Sequence, residues 1–331
     1  MANSADFDLR CHPDDVRCRL EGWRQNCGAP IALDLTSPAP ADESAPLVVL
    51  SWNVWIGHGR LLELVSRIRN GNFIDQGAPP DSELVVLAQE VYRSDSAIPS
   101  DANRHAARRL AVRAGYRREE IVETAHALGM NLRYAPSMRN GGLQSDRGNA
   151  ILSTLPLEEA YAIELPFVIQ RRVAVAATVR LGGERVCVVS AHLDPRGPPG
   201  HRWLGASGRG LQVGYLLESL RSDTVILGAD LNLNRGRYEP AWRILHDAGF
   251  KQGIGSPIPR WRHTYHSVLP RLVLDYLLVR DPAGVVARAE VHRLDEHPLD
   301  RGSYVFGSDH HPLLARIDFA PLSRNSEWVN G

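Results

Sequence analysis

An α+β fold containing mixed β-sheet is the class this sequence predicts, on three observations. Short apolar runs of strand length recur through residues 47–319, and stretches with helical periodicity fall between several of them. Two neighbouring runs, 173–179 and 186–190, are joined by the turn Leu181 to Arg185, which suits a hairpin, so the sheet cannot be wholly parallel.

In chain order, the Pro/Ala/Ser-rich stretch 36–46 reads as a linker, placing the domain start near Ala45. The expected organisation is an N-terminal extension and linker over 1–44, one domain over 45–319 and a tail over 320–331. Strands are expected at 47–52, 84–88, 149–152, 173–179, 186–190, 224–227, 272–279 and 313–319, all rich in Val, Leu and Ile as buried strands are. Helices are expected at 61–69, 103–114, 208–221 and 239–248, the last followed by Gly249, where a helix-ending glycine belongs. No internal repeat is present.

The 331 residues are enough to bury a sizeable core. A formal net charge of +0 excludes a global basic field drawing nucleic acid or anionic membrane non-specifically, and leaves a local basic groove open. Lys251 is the only lysine among 38 Lys and Arg residues, a bias that codon usage explains more simply than phosphate binding. The acidic start has no signal-peptide core and no later run spans a bilayer, so the expected location is cytoplasmic, with secretion as the alternative raised by the cysteine cluster Cys11, Cys18 and Cys27. These three read as unpaired thiols, since their spacing suits no zinc site, and Cys187 reads as a small core residue.

The chemistry lies where the apolar runs end. Asn53 follows the first, Glu90 the second, His192 the fifth, and Asp230 and Asn232 the sixth; Asp275 sits within the seventh, and Asp309 and His310 precede the last. Singly, an Asp or Asn after a strand is a turn former and a histidine a structural residue. Together they offer carboxylates for a hard cation, amides for metal or phosphate, and imidazoles that move protons near neutral pH. With no Cys/His zinc cluster, no Gly-x-x-x-x-Gly-Lys loop and no Gly-x-Ser-x-Gly elbow, a metal-assisted hydrolase of phosphate esters is the reading that remains.

Seven motifs, in this order and spacing, carry a resemblance. They are Ser51 to Val54, Gln89-Glu90, Gly148 to Leu152, Ser190 to Leu193, Gly228 to Asn232, Leu274 to Tyr276 and Gly307 to Leu313. Over 47–319 the chain resembles the endonuclease/exonuclease/phosphatase superfamily, which includes DNase-I-like nucleases, abasic-site endonucleases, inositol-polyphosphate phosphatases and neutral sphingomyelinases. The resemblance implies a four-layer α/β/β/α sandwich, two mixed sheets face to face with helices outside and the active site at one rim.

It also implies roles. Glu90 is the principal ligand of Mg²⁺, with Mn²⁺ as a substitute, Asn53 lies near metal and scissile phosphate, and Asp309 completes the metal or water network. His310 is either the base that prepares the attacking water or a cationic phosphate ligand, with Asp275 orienting its ring. Asp230 and Asn232 grip the water and a non-bridging oxygen, and His192 acts on the leaving-group side. Asn149 adds a hydrogen bond in the cleft, and Tyr265 supplies an aromatic for packing or stacking. Trp55 stands where abasic-site endonucleases carry an Asp, and Asp194 is the only acid near His192 in sequence.

Three readings compete. A phosphodiesterase acting on nucleic acid would draw on Arg139, Arg147, Arg171 and Arg172, and one acting on a lipid headgroup on the loops at 55–59 and 202–204. A phosphomonoesterase for a sugar, inositol or nucleotide phosphate would hold its second charge with Arg171 and Arg172. A non-catalytic binding member is the third. The expectation is a diesterase; oligomeric state is not specified by the sequence.

Overall fold

The structure, a computed structural model, describes residues 8–11, 17–36, 46–100, 117–181, 183–196, 205–256, 263–265, 272–296 and 304–320. Its strands are β1 (Asp8–Cys11), β2 (Ile31–Leu33), β3 (Leu47–Asn53), β4 (Glu83–Ser94), β5 (Asn131–Arg139), β6 (Ser145–Ser153), β7 (Glu158–Glu164), β8 (Val173–Leu181), β9 (Glu184–His192), β10 (Val225–Asp230), β11 (Asp275–Arg280), β12 (Val286–Arg293) and β13 (Leu313–Phe319). The α-helices are α1 (Arg17–Arg24), α2 (Leu61–Arg69), α3 (Ile121–Leu128), α4 (Gly205–Ser219) and α5 (Pro240–Asp247).

The strands form two mixed sheets, ordered β1-β7-β8-β9-β10-β11 and β12-β13-β3-β4-β6-β5-β2. Alternation along each strand decides what faces where. In β3, Leu47 and Val49 turn toward the other sheet and join Val175, Val188 and Ile226 in the central core. Val48, Leu50 and Trp52 turn outward and are covered by Leu61, Leu64 and Val65 of α2 and Ile121 and Ala125 of α3. On the other sheet, Val189, Ala191 and Leu227 lie under Val213 and Leu216 of α4 and Ala241 and Leu245 of α5. The result is the expected α/β/β/α sandwich, with both sheets mixed. At Gly228 the sheets approach so closely that a Cβ would sit 2.7 Å from the Ser51 hydroxyl.

The hairpin at Leu181 is present, with Leu181 opposite Glu184. Helix 61–69 and strand 313–319 have the expected bounds. The expected helix 103–114 lies outside the described residues, as does the loop 202–204. Strands β1, β2, β5, β7 and β12 and helices α1 and α3 were not anticipated from the sequence pattern. In the segment expected as an extension, β1 adds in parallel to β7 and β2 adds antiparallel to β5, so it extends both sheets.

Between these two edge strands the chain is tied to the sandwich by polar contacts. Arg24 pairs with the buried Glu164, the Gly28 N–H donates to Asp146 Oδ2 (2.9 Å), and Arg93 donates to the Ala29 carbonyl (2.7 Å) while its Nε binds Asp146 Oδ1 (2.9 Å). Cys27 and Cys187 are free, buried thiols, and burial pushes both up to about 12, so neither is a thiolate near neutral pH. Cys11 and Cys18 lie outside the described side chains. Among the described residues no helix is long and apolar enough to cross a membrane.

Candidate active site

Adjacent strands end in register, and this places the polar side chains together. Asp230, the last residue of β10, is directly opposite His192 on β9 and Asp275 on β11, so three consecutive strands present a His, an Asp and an Asp at one rim. The other sheet contributes Asn53 from the end of β3 and Glu90 from within β4. Glu90 sits in a β-bulge between Ala88 and Val91, with φ of 53°, a backbone state uncommon outside glycine that recurs at functional sites. The bulge sends the Glu90 carboxylate into the cleft. Gln89 stays between the sheets, donating to the Leu87 carbonyl (2.8 Å) and the Ser190 hydroxyl (3.2 Å).

The loop before β13 is fixed by side chain to backbone bonds. The Ser308 hydroxyl donates to the Asn53 carbonyl (2.6 Å) and accepts from the His310 N–H (3.1 Å), and the Trp52 indole donates to the His310 carbonyl (2.9 Å). Thr264 Oγ1 accepts from the N–H groups of Leu274 and Asp275, both at 3.0 Å, and so holds the start of β11. The Tyr265 ring packs 4.7 Å from that of His310, tilted 49°.

Asp230 is the hub. Its Oδ2 accepts from Asn53 Nδ2 (2.9 Å) and lies 3.3 Å from His192 Nε2 and 3.9 Å from His310 Nε2; its Oδ1 accepts from the Asn232 N–H (3.1 Å). Asn232, at φ of 52°, donates its amide to the Leu193 carbonyl (3.0 Å). Burial raises the Asp230 carboxyl to about 7, against the lowering effect of His310. For His310, burial acts to lower the pKa, but Asp275, bonded to its Nδ1, and the nearby Asp230 and Asp309 outweigh it and raise the imidazole to about 10. His310 is therefore a cation near neutral pH.

The cleft encloses about 410 Å³, with Asn53, Glu90, His192, Asp230, Asn232, Tyr265, Asp309, His310 and Arg172 on its walls. Asp275 stands behind His310, its Oδ2 2.9 Å from the ring Nδ1. Asn149 is not on the wall: it is buried, and its amide donates to the Val173 carbonyl (2.7 Å), linking the two sheets. Arg171 corrects the substrate-binding expectation. Successive residues at the start of a strand point to opposite sides, and Arg171 turns away to Glu164 and the Pro136 carbonyl (2.7 Å). Arg139 is likewise consumed by backbone carbonyls, among them that of Gly141 (3.0 Å).

Asp194 does not serve His192; it pairs with Arg172 Nε (3.4 Å) and accepts from the Ile169 N–H (3.1 Å). Among the described residues, Asp230 and, 3.9 Å from Nδ1, Glu90 are carboxylates paired with His192. Gln170, Met138, Asn234 and Arg196 also line the cleft, without a signal that sequence reasoning used. No described residue before Asn53 lines it.

Two arrangements suit a cation. Ligand atoms of Asp230, Asp275 and His310 lie within 4.8 Å of one another, but that histidine is charged and bonded to Asp275. Glu90 and Asp309 offer the other. Asp309 Oδ1 is buried with no hydrogen-bond partner, and burial, with Glu90 adding to it and His310 opposing, raises the carboxyl to about 6. A hard divalent ion held there with Glu90 would satisfy that oxygen and relieve the repulsion.

A four-layer sandwich with this acid- and histidine-lined rim defines a DNase-I-like hydrolase. The chain belongs to the Endonuclease/Exonuclease/phosphatase family, whose sequence model matches residues 50–310; it is a superfamily of metal-dependent phosphoester hydrolases. Among solved structures, the human Nocturnin catalytic domain with bound sulfate anion is 16% identical with a TM-score of 0.53, covering 83% of this chain and 95% of that one. An endonuclease/exonuclease/phosphatase family protein from Leptotrichia buccalis is 16% identical with a TM-score of 0.54, covering 82% and 100%. SmcL is 13% identical with a TM-score of 0.53, covering 82% and 99%. At these identities the likeness is one of fold. A comparison with curated proteins found no match.

Proposed function

We propose that the chain is a Mg²⁺-dependent phosphodiesterase in which His310 and Asp230 hold a water for in-line attack on phosphorus. The observation that carries this is the line Asp275, His310, Asp230. The Nδ1 edge of the ring is bonded to Asp275 at 2.9 Å, leaving Nε2 directed at Asp230 Oδ2, 3.9 Å away. A water between these two atoms donates to the carboxylate and is oriented by the imidazolium.

As the water oxygen bonds to phosphorus, its proton passes to Asp230, whose raised pKa near 7 matches that work at neutral pH. The His310 cation stabilises charge on the phosphoryl oxygens, and Asn53 and Asn232 add amide contacts where charge develops. His192 protonates the leaving oxygen as the ester bond breaks. Glu90 and Asp309, with Asn53 beside them, would hold the Mg²⁺, which when bound draws off charge from the phosphoryl group.

A diester is favoured because the cleft walls come from both sheets. Residues 55–56 follow β3, 195–196 follow β9 and Asn234 follows β10, giving room for two substituents around one phosphate. The proposed catalytic side chains all lie within the expected domain 45–319, whose sheets β1 and β2 extend, and the location proposed with it is cytoplasmic. The test is turnover of bis-p-nitrophenyl phosphate against p-nitrophenyl phosphate, plasmid DNA, RNA and sphingomyelin, in Mg²⁺ or Mn²⁺ and with chelator. Diester cleavage lost on chelation and in both His310→Ala and Asp230→Asn is expected. Full turnover in His310→Ala removes its assigned role, and no turnover of any substrate supports a binding protein instead.

A further inference from the structure

We infer that one buried polar face of α4, through Gln212 and Asp194, sets the position of Arg172 in the cleft, which makes Asp194 and Gln212 positioning residues for its phosphate contact. This deepens the phosphoester reading above and rests on it.

The inward stripe of α4 changes character along its length. Arg209, Gln212, Val213 and Leu216 recur at helical spacing, and the last two pack on the sheet as core residues do. Arg209 and Gln212 are just as deep, as are their partners Asp194 and Glu239, all at 1% exposure or less. Burying such groups is costly, and apolar side chains of similar size often fill the space with equal or better stability. The polar half of the stripe therefore supplies position rather than stability.

What it positions is the cleft wall. Gln212 and Asp194 clasp each other: the Asp194 N–H donates to Gln212 Oε1 (3.0 Å), and Gln212 Nε2 donates to Asp194 Oδ2 (3.3 Å). Gln212 Nε2 also donates to the Pro166 carbonyl (3.1 Å), and Asp194 Oδ2 accepts from the Ile169 N–H (3.1 Å). Two segments are thereby tied to the helix, the one entering β8 that carries Arg172 and the one leaving β9 that follows His192. The first lies so near α4 that a Cβ at Gly208 would sit 2.8 Å from Val168. Arg209 donates Nη1 to the Asp194 carbonyl (3.2 Å) and grips Glu239 with Nε and Nη2, both at 2.8 Å.

Within this frame Asp194 Oδ1 faces Arg172 Nε at 3.4 Å. Burial raises the Asp194 carboxyl, and Arg172 is the foremost influence opposing that, so the charge on each supports the charge on the other. A guanidinium is a planar fork whose phosphate contact depends on direction. Holding it from the Nε side sets the plane in which Arg172, on the cleft wall, meets a phosphoryl oxygen.

The test is kcat and KM for bis-p-nitrophenyl phosphate, with Mg²⁺, in Asp194→Asn, Gln212→Met, Arg172→Ala and the first two each combined with Arg172→Ala. Asp194→Asn keeps shape and removes the charge facing Nε, and it is expected to lower kcat/KM about tenfold, as loss of a charge-assisted contact does. Gln212→Met keeps length and helix propensity without the amide, and about a threefold loss is expected. In the Arg172→Ala background neither substitution costs anything further, because the group they position is gone. Residues that only hold the loops together would lower stability, and their kinetic factors would multiply with that of Arg172→Ala. Multiplying factors, or an unchanged kcat/KM in folded Asp194→Asn, overturn the inference. Should Asp194→Asn not fold, Gln212→Met is judged by the same two outcomes. If bis-p-nitrophenyl phosphate is not hydrolysed, the diesterase reading alone fails, and the same cycle is read from affinity for inorganic phosphate by titration calorimetry, with the same outcomes deciding.

Discussion

His310 Nδ1 lies 2.9 Å from Asp275 Oδ2 and 3.0 Å from Oδ1, so one carboxylate both fixes the ring and keeps it charged. Activity that needs the His310 cation is lost as pH rises through about 10, and activity that needs ionised Asp230 is lost as pH falls through about 7. The metal-dependent kcat is expected to be bell-shaped between these limits. Asp275→Asn lowers the alkaline limit and reduces kcat by about 10²- to 10³-fold, the usual worth of a preorganised group that stabilises transition-state charge. Measured kcat against pH checks it; an alkaline limit that stays in place in Asp275→Asn removes the pairing from the mechanism.

Substitution of Glu90, the proposed metal ligand, should be felt through the metal. Glu90→Gln keeps size and hydrogen bonding while removing the charge that a hard cation needs. It is expected to raise the Mg²⁺ concentration for half-maximal activity by about tenfold or more, as loss of one charged oxygen ligand does. Activity titrated with Mg²⁺ after chelation tests this. An unchanged midpoint would assign the ion elsewhere, with the Asp230, Asp275 and His310 cluster as the next site to substitute.

Most of this rim was legible in the sequence, because the chemistry requires specific side chains where strands run out and apolar runs mark where that is. Asn53, His192 and Asp230 are the last residues of their strands. The bulge at Glu90 was not legible: Gln89 and Glu90 look like the end of an apolar run, yet β4 continues to Ser94. Strand β5 was hidden for another reason. Its sequence carries Arg133, Pro136 and Arg139, which pattern reading assigns to surface or loop, and only tertiary partners such as the Leu157 carbonyl at 2.9 Å from Arg133 explain their burial. The edge strands β1 and β2 are too short for periodicity to register.

Stability without metal should fall as pH rises. Burial lifts Asp309 from 3.8 to about 6 with Glu90 adding to it, so between those values the folded chain holds a proton that the unfolded chain has released. Folding then loses stability across that window, by about 3 kcal/mol at most from this group. Asp230 extends the loss to about pH 7, and His310, raised from 6.5, extends it to about pH 10. Mg²⁺ competes with these protons, so it should raise the melting temperature more at pH 8 than at pH 5.5. In chelator, Asp309→Asn should be more stable than the wild type at pH 8 and lose most of the Mg²⁺ effect. Equal Mg²⁺ stabilisation at both pH values contradicts a site containing Asp309.

Arg171 and Arg172 are neighbours in sequence with opposite duties, and substitution should separate them. Arg171 is locked against Glu164, which also takes Arg24, and the two arginines hold the Glu164 carboxyl below its usual value in spite of its burial. Arg171→Ala leaves Glu164 with one partner in place of two, and Glu164→Gln leaves Arg171 without its counter-charge. Breaking a buried pair from one side costs about 3–5 kcal/mol, so both variants should melt well below the wild type while the KM of whatever folds is kept. Arg172 instead faces the cleft beside Asp230, and Arg172→Ala should raise KM or lower kcat/KM about tenfold or more, as removal of a charge-assisted phosphate contact does. Thermal denaturation and steady-state kinetics on the three variants read both effects, and a kinetic defect in Arg171→Ala larger than that in Arg172→Ala would reverse the assignment.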